Sequence, residues 1–145
     1  MAHAQHLVNV EWPIAKVFAF VADGLNDPKW RPDVISIEHL SGSGVGARYA
    51  QTMKGPGGRS IRGDYTVTGY EQPTRYDFEV TAGPARPTGS FVLREMTPTS
   101  TEVTFTMDLK PRGLMVLMSP MINKQVRAEV ANIDNLGSAM AADPG

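Results

Sequence analysis

The hydrophobic pattern changes period twice along the chain. "HLVNVEW" near the start alternates as a strand does, and Pro13 follows it, pre-set for the first turn of a helix. "IAKVFAFVA" then carries an apolar face through Ile14, Val17, Phe18 and Val21. Gly24 can end that helix, and Asn26-Asp27-Pro28 predicts a turn or a short second helix. From Val34 the period becomes two. "VISIEHL", "ARYAQTMK", "SIRGDYTVTGYE", "RYDFEVTA", "SFVLREM" and "TEVTFTMDL" read as strands, separated by turns such as "SGSGVG", "GPGG", "QPT" and "TPTS" and by the longer loop "GPARPTG". With the first, that makes seven strands joined mostly by tight turns, the arrangement antiparallel pairing requires. After them the helical period returns. Ser119 can cap a helix whose first residue is Pro120, and Ile122, Val126, Val130, Ile133, Leu136 and Met140 form one stripe that ends it near Met140. Upstream of the Ser-Pro step, "GLMVLM" reads as a helical lead-in.

The alternation assigns faces as well as strands. Ile61, Tyr65, Val67, Tyr76, Phe78, Val80, Phe91, Leu93, Val103, Phe105 and Met107 point one way. Arg62, Asp64, Thr66, Asp77, Glu79, Thr104 and Asp108 point the other, so the sheet is apolar on one face only. One such sheet and one long striped helix predict an α+β fold. The sheet should be a curved, seven-stranded antiparallel one wrapped around the long C-terminal helix, with two short helices after strand 1. Residues 1–145 are expected to form a single domain.

Four local patterns in this order resemble the START-like superfamily (SRPBCC proteins), which includes the Bet v 1 and polyketide cyclase/dehydrase relatives. They are "VEWPIAKVFAFVAD", "NDPKWRPDVISIE", "GVGARYAQTM" and "SPMINKQVRAEVANIDNLGSAM", and together they span nearly the whole chain. Gly137 and Trp12 depart from the residues usual at those places. The resemblance implies a helix-grip fold with a cavity between sheet and C-terminal helix that holds an apolar or aromatic small molecule. It does not imply one reaction, because binding proteins, cyclases, dehydratases and co-chaperone domains share the scaffold.

Composition removes several alternatives. A net charge of -1 leaves no basic surplus for a phosphate backbone, so nucleic acid is not expected as a partner. Without cysteine there is no disulfide framework, thiolate metal site or cysteine nucleophile. With three histidines and no metal-ligand spacing, neither a metal nor another cofactor is expected. The start lacks a secretory pattern and no apolar run reaches the ~20 residues of a bilayer span, so the expectation is a soluble, cytoplasmic monomer or homodimer with no integral membrane association. "KGPGGRS" lacks the Gly-Lys-Ser/Thr ending of a phosphate loop and precedes a strand; it is a hairpin turn.

The candidate site follows from parity and from the resemblance. Trp30, in the loop after the first helices, either plugs the core or covers an opening. The family's loop position makes it a rim residue, stiffened by Pro28 and Pro32. Tyr65, Phe78, Phe91 and Phe105 on the inner sheet face, with Ile122 on the helix, are the expected cavity lining. Met115 and Met118 offer flexible, polarizable surface there, or are ordinary core. Tyr49, Gln51, Tyr65 and Tyr76 are the main polar side chains that parity sends inward, and a tyrosine among them could orient a ligand oxygen. His39 lies near a strand end and reads as a surface residue, Glu95 is a weaker inward candidate, and most acids fall on the outer face. No catalytic set emerges. The expected function is binding of a hydrophobic or aromatic small molecule, such as a lipid or polyketide. A metal-free cyclase/dehydratase and a protein-interaction domain are the alternatives.

Overall fold

The alternating segments pair into one antiparallel sheet of eight strands in a computed structural model that describes residues 2–83, 85–110 and 119–143. In chain order the strands are β1 (Ala2–Val10), β2 (Val34–Ser41), β3 (Arg48–Lys54), β4 (Ser60–Arg62), β5 (Tyr65–Glu71), β6 (Arg75–Val80), β7 (Thr88–Thr97) and β8 (Ser100–Leu109). They lie in the order β1-β8-β7-β6-β5-β3-β2, with β4 paired to β3. β1 starts earlier than "HLVNVEW" suggests. Ala2 and Ala4 are buried against β8, and small residues of this kind leave little mark on a hydropathy pattern. It ends at Val10, and the carbonyl of Trp12 accepts from Thr101 Oγ1 at 2.8 Å.

The eighth strand comes from a split. "SIRGDYTVTGYE" reads as one strand, but it breaks at Gly63-Asp64 into β4 and β5, both on β3. Gln51 of β3 stands opposite the break and holds it. Its carbonyl accepts from Gly63 N at 2.8 Å, its N–H donates to Asp64 Oδ1 at 3.1 Å, and its side-chain Nε2 donates to Gly63 O at 3.2 Å. Register shifts at Val67/Gly69 in β5, Glu95/Thr97 in β7 and two places in β2 bend the sheet further.

Helix α1 (Ile14–Val21) buries Val17, Phe18, Phe20 and Val21 and packs on β7 and β8. A single 3-10 turn (Gly24–Asn26) leads into the one-turn helix α2 (Asp27–Trp30), which ends at Arg31 in an extended conformation. The predicted C-terminal helix is present as α3 (Ser119–Ala131), a 3-10 turn (Asn132–Asn135) and α4 (Leu136–Ala142). All six stripe residues are buried. Polar side chains of the intervening turn are engaged elsewhere: His6 Nε2 meets Asp134 Oδ1 at 2.9 Å, and Asn135 Nδ2 donates to Trp30 O at 3.1 Å. The "GLMVLM" lead-in lies outside the described residues.

α3 packs against β1 and β8, at one side of the sheet. The inner faces of β3, β5, β6 and β7 therefore look across a space that the body of the helix does not fill. This is the helix-grip arrangement, and it positions the site.

Candidate ligand pocket

The space between α3 and the sheet is a pocket of about 310 Å³. Its apolar wall includes Phe78, Val80, Phe91, Phe105, Met107 and Leu109 from the sheet, with Ile122 and Val126 from α3. Phe91 and Phe105 stack with centroids 4.2 Å apart, and Phe78 lies 6.0 Å from Phe91. Gly89 makes room for this wall. It is the cross-strand partner of Phe78, and a Cβ at Gly89 would stand 2.3 Å from Phe78 Cζ, so the ring lies across bare backbone. Exposed residues Asp33, Lys54, Arg62 and Met121 mark where the pocket opens.

The other end of the pocket is charged. Arg31, delivered inward by the termination of α2, donates through Nη1 to Asp27 Oδ2 and to Gln51 Oε1, both at 3.1 Å. Its Nε donates to Glu129 Oε1 of α3. Tyr65 donates its hydroxyl proton to Asp27 Oδ2 at 3.1 Å. Arg31, Asp27, Gln51, Tyr65 and Glu129 all line the pocket. Three elements thus meet in one buried network: α2, the broken strand region around Gln51, and α3. Gly24 lets the chain approach it closely, since a Cβ there would fall 2.3 Å from Tyr65 Oη and 2.7 Å from Tyr49 Cε1.

Burial sets the proton affinities here. Desolvation pushes the Asp27 carboxyl up to about 6, against the opposing pull of Arg31 and the Tyr65 hydroxyl. For Arg31, burial works against the charge, but Glu129 and Asp27 outweigh it and drive its pKa upward. Burial, then the negative charge of Asp27, raises the hydroxyls of Tyr65 and Tyr76 well above the usual phenolic value. The arrangement can therefore offer fixed hydrogen bonds from phenols and a guanidinium. It also holds one carboxyl that changes protonation near neutral pH.

Of the residues expected at the site, Gln51, Tyr65, Phe78, Phe91, Phe105 and Ile122 come together around this pocket. Met115 and Met118 lie outside the described residues. Tyr49 stacks on Tyr65 at 5.0 Å but faces a second cleft of about 260 Å³, which Tyr76 also lines. Trp30 is not at a rim. It is 2% exposed, absent from the pocket lining, and packed edge-on against Phe91 and Phe105 at 5.8 and 6.0 Å. The loop turns its ring inward, behind the aromatic wall. His39 is exposed, with Nε2 2.7 Å from Gly42 O, and Glu95 is exposed beside a register shift. The expectation that acids face outward misses Asp27 and Glu129, and with them their buried partner Arg31. The i,i+4 spacing of Asp27 and Arg31 was the available signal.

The family model for polyketide cyclase / dehydrase and lipid transport matches residues 1–136. The chain belongs to that family. Among curated proteins, none matches it. Its fold resembles that of a Thermus thermophilus protein, at 16% identity and a TM-score of 0.84, with 99% of each chain covered. It also resembles a START superfamily protein from Mycobacterium smegmatis, at 14% identity and a TM-score of 0.79, over 97% of this chain and 98% of that one. A third similar structure is the Zhui aromatase/cyclase of a Streptomyces species, at 16% identity and a TM-score of 0.68, covering 94% of this chain and 87% of that one. At these identities the likeness carries the fold alone. For this member of the polyketide cyclase/dehydrase and lipid transport family, no described helix is long and apolar enough to cross a membrane. No cluster of three or more potential metal-binding His, Cys, Asp or Glu side chains occurs among the described residues.

Proposed function

We propose that the protein, acting as one START-like domain, binds a hydrophobic or aromatic small molecule between its sheet and α3. The observation that supports this most directly is the 310 Å³ pocket, apolar on its Phe78, Phe91 and Phe105 wall and polar at its Arg31 end. Apolar walls with a few convergent polar groups are the usual form of a small-molecule site. The test is native mass spectrometry with solvent extraction of the purified protein, beside an Ile122→Trp variant that fills the pocket. A small molecule should travel with the wild type and be absent from the folded variant. Equal recovery of the same molecule from both would count against this location.

One observation favours a second reading, a metal-free enzyme of the cyclase/dehydratase type. Asp27 and Tyr65 form an acid-base pair within hydrogen-bond reach at the pocket wall, and Asp27 titrates at about 6. In that reading Asp27 accepts a substrate proton through Tyr65 and returns it. Conversion of a bound molecule by the wild type but not by Asp27→Asn, with binding retained in both, would establish it.

A further inference from the structure

We propose that the pocket selects uncharged ligands bearing a hydrogen-bond-accepting oxygen and rejects carboxylates, with Glu129 setting that selection. This rests on the binding reading above and concerns the same site.

The buried charges are unequal. Asp27 and Glu129 are two carboxylates against one guanidinium, and the three side chains are only 8%, 12% and 9% exposed, respectively. The other cations lining the pocket stand at its mouth in water. Arg62 is held by Asp64, and Lys54 lies beside Asp33, whose carbonyl accepts its backbone N–H. A free arginine would grip a ligand carboxylate with two parallel N–H bonds. Here Nε is committed to Glu129 and Nη1 to Asp27 and Gln51. An incoming carboxylate would add a third buried anion to a site whose cation is already shared between two. Its charge would face two buried carboxylates that already share the one guanidinium, so its desolvation would be poorly repaid.

What the network leaves open is one donor group on Arg31. Its Nη2 has, among the described residues, only a long contact to Met53 Sδ at 4.0 Å. Arg31 lines the pocket. An unpaired buried donor is costly, and a neutral carbonyl oxygen satisfies one without importing charge. The recognised class is thus an apolar, ring-sized body with a ketone-type oxygen.

Three probes of nearly equal shape test this: 2-acetylnaphthalene, 2-naphthoate and 2-ethylnaphthalene, titrated calorimetrically into the purified full chain at pH 7.5. The ketone is expected to bind at least about tenfold more tightly than the carboxylate, and more tightly than the ethyl compound that lacks an acceptor. Glu129→Gln should shift the preference toward the carboxylate, raising the affinity of 2-naphthoate relative to that of 2-acetylnaphthalene at least about fivefold, and an unchanged ratio would overturn the role given to Glu129. Carboxylate binding as tight as the ketone's on the wild type would overturn the proposal while leaving the binding reading in place. No binding of any of the three would remove the binding reading, and the selection with it.

Discussion

Arg31 and Glu129 stand 98 residues apart in the chain and are joined side chain to side chain inside the protein. The bond ties the residue that ends α2 to the last turn of α3, at the wall of the pocket. Arg31→Met would leave Asp27 and Glu129 buried without their counter-charge. The expected cost is about 3–5 kcal/mol in chemical denaturation. The triple variant Arg31→Met, Asp27→Asn, Glu129→Gln should recover most of that loss, because it removes the stranded charges along with their partner. A triple variant as unstable as the single one would show that packing of the arginine stem, not charge pairing, sets the penalty.

Asp27 gives the fold a pH dependence of unusual sign for a carboxylate. Its pKa is about 6 folded against 3.8 unfolded, so the folded state holds the proton more tightly. The stability this contributes is complete below the unfolded value and is lost as pH rises through the folded one. Denaturation of wild type and Asp27→Asn at a series of pH values isolates the effect, since other groups cancel in the difference. Relative to the variant, the wild type should lose on the order of 3 kcal/mol between about pH 4 and pH 7. A flat difference would mean that Arg31 neutralises the burial cost fully.

Trp30 packs behind the pocket wall, and its truncation should act on stability first. Trp30→Ala removes the edge-on contacts to Phe91 and Phe105 and leaves a void, at an expected cost of about 3–5 kcal/mol. Titration with 2-acetylnaphthalene beside denaturation separates the roles. Affinity within about threefold of wild type at that loss of stability marks a core plug. A large affinity loss with little destabilisation would make the ring a gate after all.

Most of the fold was legible because periodicity reports which face is buried. The stripe from Ile122 to Met140 and the alternation from Tyr65 to Met107 survive intact in the structure. Periodicity carries less at short or irregular elements. The turn that carries Trp30 is too brief to have a face, so its direction was open. The break at Gly63-Asp64 had a glycine to announce it, but its partner Gln51 becomes evident only once β3 is in register with both halves. Glu129 is the instructive case. It stands seven residues after Ile122, on the buried side by helical spacing alone, yet its charge argued for solvent. A buried acid is understood only with its partner, and Arg31 comes from the far end of the chain.

Gly89 fixes the position of the aromatic wall, and a single methyl group tests it. Gly89 does not have a positive φ, so alanine should fit its backbone and the penalty should be steric. The added Cβ would stand 2.3 Å from Phe78 Cζ and 2.5 Å from Cε1, which forces the ring off β7 and into the pocket. Overpacking of this kind costs about 1–3 kcal/mol. It should also lower affinity for 2-acetylnaphthalene, since the displaced ring takes up ligand space. Phe78→Leu in the same chain shortens the side chain that the methyl strikes. The two substitutions should then be non-additive by at least about 1 kcal/mol, with the pair more stable than the sum of the singles predicts. Denaturation of the four proteins in this cycle measures the coupling. Strict additivity would mean that the Phe78 ring moves freely and that the wall opposite α3 is not fixed by Gly89.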